Sequence, residues 1–97
     1  MRKHLLIISF ALTTSFLQAQ IVNIPDENFK KALLAHNPKI DLNNDLQIQY
    51  SEALNVTYLD LNNKSIADLT GIEAFTALTS LLCEGNDIGN LDILTSA

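Results

Sequence analysis

Residues 56–97, VTYLDLNNKSIADLTGIEAFTALTSLLCEGNDIGNLDILTSA, decide the fold class, because they hold one pattern written nearly twice. A displacement of 22 positions sets Val56 on Leu78, Leu59 on Leu81, Leu61 on Cys83, Ile66 on Ile88, Leu69 on Leu91 and Ile72 on Leu94. The shared string is L-x-L-x-x-(K/N)-x-I-x-x-L, realised first as Leu59, Leu61, Lys64, Ile66, Leu69 and then as Leu81, Cys83, Asn86, Ile88, Leu91.

A fixed period with that spacing is the signature of leucine-rich repeats. The expected fold class is therefore α/β, a leucine-rich repeat solenoid fragment with a 22-residue period and short parallel strands. Within each unit Leu59 and Leu61, then Leu81 and Cys83, alternate inward on a strand. Tyr58, Asp60 and Asn62, then Ser80, Leu82 and Glu84, point outward and form the concave contact face expected of stacked repeats. Asn86 is placed to bond the turning backbone. Lys64 takes that position in the first unit and has no acceptor. It reads as an edge feature. Residues 69–77, with Ile72 and Phe75 inward and Gly71 easing the bend, predict a short helix or 3₁₀ turn on the convex side.

Upstream, Ile24 to His36 predicts a capping helix within residues 20–40. Pro25 suits a first helical position, and Asp26 and Glu27 complement the positive end of the dipole. Phe29, Ala32, Leu33 and His36 recur at three-to-four spacing, widened by Leu34. Asn37-Pro38 ends the run. A helix lying on a membrane surface is the rival, but Lys30 and Lys31 are its only basic residues.

Between helix and repeats lies Asp41-Leu-Asn-Asn-Asp-Leu-Gln-Ile-Gln-Tyr-Ser-Glu52, the core of a segment 41–55 that ends in a short helical turn. Asp41, Asn43, Asp45 and Glu52 occupy loop positions 1, 3, 5 and 12 of an EF-hand calcium loop, with Ile48 at position 8. A hard cation wants six to eight oxygens. Asp41, Asn43, Asp45, the backbone carbonyl of Gln47 and a bidentate Glu52 supply most of them. Leu46 stands where that loop has glycine, and a leucine at positive φ costs about 1–2 kcal/mol. Affinity is expected to be lower for it. The alternative is a polar connecting loop whose Asp and Asn residues cap turns.

The bulk properties bound the rest. Met1-Arg-Lys-His, the apolar run Leu5–Leu17 and Gln18-Ala19-Gln20 predict a secretory signal peptide over residues 1–19, cut after Ala19. The run is too short for a membrane anchor. The remaining 78 residues carry four Lys+Arg against eleven Asp+Glu, a formal charge of −7. That sign disfavours nucleic acid and is compatible with a cation. Cys83 alone cannot form an internal disulfide framework.

Catalysis is not expected. The chain has no H-E-x-x-H, G-x-S-x-G, C-x-x-C or phosphate-cradling glycine loop. A dyad of Cys83 and His36 is conceivable, but Cys83 takes an inward leucine position, where a small buried hydrophobe is the plainer reading.

Ile24–Leu34, the acidic loop 41–52 and Ser65–Leu81 together resemble secreted bacterial leucine-rich repeat proteins, the internalin-like surface proteins with an EF-hand-like segment before the repeats. The resemblance covers nearly all of residues 21–91. It implies a secreted or cell-surface module that contacts a protein or a glycan without catalysis, with a calcium-type loop at Asp41, Asn43, Asp45, Gln47 and Glu52. The second unit stops about two residues short of the first. Two expectations follow: a truncated frame of a longer protein, or a miniature that self-associates through its uncapped C-terminal repeat. A small secreted calcium-binding protein is the alternative function.

Overall fold

The computed structural model describes residues 20–89. The predicted signal peptide, and the second-unit residues Leu91, Ile93 and Leu94, lie outside the described residues. In chain order the elements are α1 (Glu27–Leu34), α2 (Tyr50–Ala53), β1 (Tyr58–Asp60), a 3₁₀ turn (Ile72–Ala74) and β2 (Ser80–Leu82).

Helix α1 is shorter than its apolar pattern. Asp26 does not sit in the first turn; it is the N-cap, and its Oδ1 accepts the Phe29 N–H at 3.0 Å. Phe29, Ala32 and Leu33 are buried and His36 is half-buried beyond the helix end. The second Asp26 oxygen reaches across the chain and accepts the N–H groups of Ala67 (2.9 Å) and Asp68 (3.0 Å). Asn28 donates its amide to the Ser65 carbonyl at 2.9 Å. One carboxylate therefore caps the helix and fixes it to the loop after β1.

Partial burial pushes the Asp26 carboxyl up, but the N–H groups of Phe29, Ala67, Asp68 and Asn28 outweigh it and hold its pKa below the ordinary 3.8. A carboxyl with a depressed folded pKa contributes stability that is present above its unfolded pKa and lost as pH falls through the folded value. Asparagine still caps the helix but lacks the charge, so Asp26→Asn is expected to destabilise most above about pH 5, by about 0.3–1 kcal/mol. The gap to the wild type should close below about pH 3. Urea midpoints across that range check it, and a gap independent of pH would contradict it.

Strands β1 and β2 pair in parallel as Tyr58↔Ser80, Leu59↔Leu81 and Asp60↔Leu82. The 22-residue offset is the register of this pair. It continues through Asn63 N–H to the Glu84 carbonyl (2.8 Å) and Asp87 N–H to the Ile66 carbonyl (3.1 Å). Asn86 sits under the turn: its Oδ1 accepts the Lys64 and Ile66 N–H groups, each at 3.0 Å, and its Nδ2 donates to the Leu61 carbonyl at 2.7 Å. Gly71, at φ 108°, leads into the 3₁₀ turn, and a Cβ there would meet the Asn23 carbonyl oxygen at 2.9 Å.

The expected leucine-rich repeat solenoid is corrected here. Among the described residues no repeat solenoid is evident; they form two three-residue parallel strands and few helices. The physical reason is burial. Leu59, Leu61, Ile66 and Leu69 are fully buried, whereas their 22-residue counterparts Leu81, Cys83 and Ile88 are only half-buried against the same cluster. A solenoid needs each unit to bury the next. Here a single core forms from α1, Ile48 and the first unit, and the second unit borders it.

Candidate functional site

The acidic loop folds as a set of turns whose carboxylates and amide oxygens accept backbone N–H groups. Asp41 Oδ2 accepts the Leu46 N–H (3.0 Å), Asn43 Oδ1 that of Asp45 (3.2 Å) and Asp45 Oδ1 that of Gln47 (3.0 Å). Glu52, inside α2, turns back to accept the N–H groups of Leu42 (2.8 Å), Asn43 (3.4 Å) and Gln49 (3.0 Å). Ile48 anchors the loop: it is fully buried, and its carbonyl accepts the Val22 N–H at 2.8 Å beside an antiparallel bridge between Ile21 and Gln49.

This folding brings Asp41, Asp45 and Glu52 together, with one carboxylate oxygen of each within 4.8 Å of the others. Desolvation pushes the Asp45 carboxyl up. The Gln47 N–H, the Gln49 amide and the neighbouring Asp41 and Asn43 side chains offset that, and its pKa lies below 3.8. Asp41 is 4% exposed, and its Oδ1 has no hydrogen-bond partner. A buried, unpartnered carboxylate oxygen among like charges is unfavourable. Of the remaining predicted ligands, Asn43 lies in the same run of turns, and Gln47, whose backbone carbonyl is the expected ligand, accepts from Lys30 Nζ at 2.8 Å through its side chain. The buried Gln49 is a residue that spacing alone missed: its amide donates to Asp45 Oδ2.

Leu46 adopts φ 63° and is 67% exposed, so its side chain contributes little burial. Leu46→Gly should relieve about 1–2 kcal/mol of left-handed strain against about 0.5–1 kcal/mol of added chain entropy. The expected result is a small gain in stability, read as a higher urea midpoint. A loss would show that the leucine makes contacts the fold needs.

The six outward strand residues share one face. Parallel pairing sets Tyr58 beside Ser80 and Asp60 beside Leu82. Tyr58 and Leu82 are each 38% exposed, and Ser80 and Glu84 are exposed. Asp60 and Asn62 are half-buried and partly committed to the backbone. Asp60 Oδ1 accepts the Asn62 N–H (3.1 Å), and Asn62 Oδ1 accepts that of Glu84 (2.6 Å). His36 packs against this face, its ring 6.0 Å from that of Tyr58.

No protein-family model matches the chain. It is similar to Internalin J of Listeria monocytogenes serotype 4b (strain F2365), with 39% identity over 69 residues, which is 71% of this chain and 7% of the Listeria protein. The likeness is that of an internalin-like bacterial protein. Among solved structures it is similar to CBM51-2 in complex with GlcNAc and INT domains from Clostridium perfringens ZmpB. There the TM-score is 0.59 and the identity 25%, over 73% of this chain and 14% of the other. A second structure of CBM51-2 and INT domains from the same protein gives the same TM-score at 29% identity, over 74% and 14%. The chain thus spans a small part of each relative. The likeness to the CBM51-2 and INT structure joins the strand pattern in correcting the solenoid expectation. Among the described residues, no helix is long and apolar enough to cross a membrane.

Proposed function

We propose that the chain is a binding module of an exported, cell-surface or secreted internalin-like protein, acting by contact and without catalysis. The observation that carries this reading is the strand face. Tyr58, Asp60 and Asn62 stand beside Ser80, Leu82 and Glu84 in one register, with an aromatic and an aliphatic side chain left open to solvent. Aromatic and amide groups on a rigid strand suit either a protein patch or the C–H face of a sugar. Similarity to an internalin, and to a structure that also holds a GlcNAc-bound module, supports a protein or glycan partner. The test is binding to bacterial and host glycan arrays and to surface-protein fractions, by wild type and by Tyr58→Ala/Leu82→Lys. The reading expects wild-type binding that the double variant loses. Equal binding by both would remove the face from the account.

A second reading, a calcium site in the 41–52 loop, is favoured by one observation: the buried, unpartnered Oδ1 of Asp41 beside Asp45 and Glu52. Asp41, Asn43 and Asp45 side chains, the Gln47 carbonyl and Glu52 are the groups that would hold the ion. Bound there, it would neutralise the clustered carboxylates and tie the loop to α2. A thermal melt in millimolar calcium and in excess chelator tests it. An upward shift with calcium supports the site, and coincident melts reject it.

A further inference from the structure

Parallel pairing uses alternate backbone groups of β1. Thr57, Leu61 and Asn63 bond the β2 side, which turns the backbone N–H of Asp60 to the opposite, outer edge. An open strand edge is a liability for a small sheet. Here the Asp60 N–H meets His36 Nε2 at 2.9 Å. A backbone N–H can only donate, so Nε2 must accept. The imidazole is then neutral with its proton on Nδ1, and Nδ1 lies 3.1 Å from the Pro38 carbonyl, which can only accept. One tautomer satisfies both contacts. The imidazolium ion satisfies only one, because a proton on Nε2 would face the Asp60 N–H head on.

We propose that His36 is a pH-sensitive latch that holds the outer edge of β1 while neutral and releases it on protonation. Histidine is the side chain whose charge changes under mildly acidic conditions. The groups around it define what release does. From β1 they are the Tyr58 phenol, with its ring 6.0 Å away, and the Asp60 carboxylate. From its own segment they are the Pro38 carbonyl and Lys39, whose ammonium is turned to Asn44 Oδ1. The residue whose N–H is released carries a carboxylate of its own, and an imidazolium beside it would turn to that group. Protonation exchanges the backbone N–H of Asp60 for its carboxylate and withdraws that carboxylate from the Asn62 N–H. The moved residues, Tyr58, Asp60 and Asn62, are half of the proposed contact face. The latch stands without any ligand; only its consequence for binding rests on the contact-face reading.

NMR on the full chain tests the latch directly. At about pH 7.5, above the range of an ordinary histidine, the His36 ring nitrogens should report the Nδ1–H tautomer. The Asp60 amide should be protected from hydrogen exchange. At about pH 5 that protection, corrected for the intrinsic rate, should fall about tenfold, as expected for one lost hydrogen bond. His36→Gln places an acceptor oxygen at the Nε2 position with no titration, so protection should persist at both pH values. The Asp26 and Asp45 carboxyls, held below the usual range, stay ionised throughout and cannot supply the step. An Nε2–H tautomer at neutral pH would overturn the proposal. So would Asp60 protection that is flat across the titration, or a wild-type-like step in His36→Gln. None of these readouts depends on whether the face binds anything.

Discussion

Phe29→Ala is expected to leave the chain largely unfolded at room temperature. Phe29 is fully buried and belongs to the hydrophobic cluster that also holds Leu59 and Leu61 of the first strand unit. Truncating a buried phenylalanine costs about 3–5 kcal/mol, through lost transfer energy and the cavity left behind. A chain of this size carries about 0.05–0.15 kcal/mol of stability per residue, so the loss rivals the total. The neighbours give little room for collapse. Leu33 on the same helix face, Ile48 on the loop and Leu59 and Leu61 on the strand are themselves fully buried. Far-ultraviolet circular dichroism during urea titration checks this: the wild type should give a cooperative transition, and Phe29→Ala a signal already near its unfolded baseline in water. A variant that melts cooperatively within a few degrees of the wild type would show that the helix is an appendage and that the strand units fold without it.

The same residues show what was legible beforehand. Phe29, Ala32 and Leu33 announce their face by spacing, and Ile48 by its position in the loop, because both patterns are local. Local pattern also placed Ile72 and Phe75 inward and set Asn86 beneath a turn. The solenoid expectation failed for a different reason. A period of 22 says which residues align, and β1 and β2 do align at that offset. It does not say whether the second unit is buried, and Leu81 and Cys83 remain half-exposed. The contacts that fix the proposed contact face and the helix were the least visible. Asp26 reaches Ala67 and Asp68 across more than forty residues, and His36 reaches Asp60 across twenty-four. Neither pairing leaves a spacing that a single sequence reveals, since the partner in each case is a backbone N–H, which every residue but proline has.

In the acidic loop, Asp41→Asn is expected to have effects of opposite sign in chelator and in calcium. In chelator, the variant removes one negative charge from a cluster whose oxygens lie within 4.8 Å of one another. The asparagine oxygen can still accept the Leu46 N–H, and its amide gains a donor to turn toward Asp45. The melting temperature in chelator should therefore hold or rise by a few degrees. In calcium the order should reverse. A ligand at about a hundred times its dissociation constant stabilises by about 2.7 kcal/mol, which for a small domain is a shift of about 10–20 °C. Wild type should show that shift if the unpartnered Oδ1 of Asp41 is a ligand, and Asp41→Asn should lose most of it. Magnesium, which is smaller and holds its water more tightly, should shift the wild type less than calcium does. If Asp41→Asn lowers the melting temperature equally with and without calcium, the carboxylate is a turn cap and no more. The cluster would then be three acids held together by the backbone N–H groups they accept.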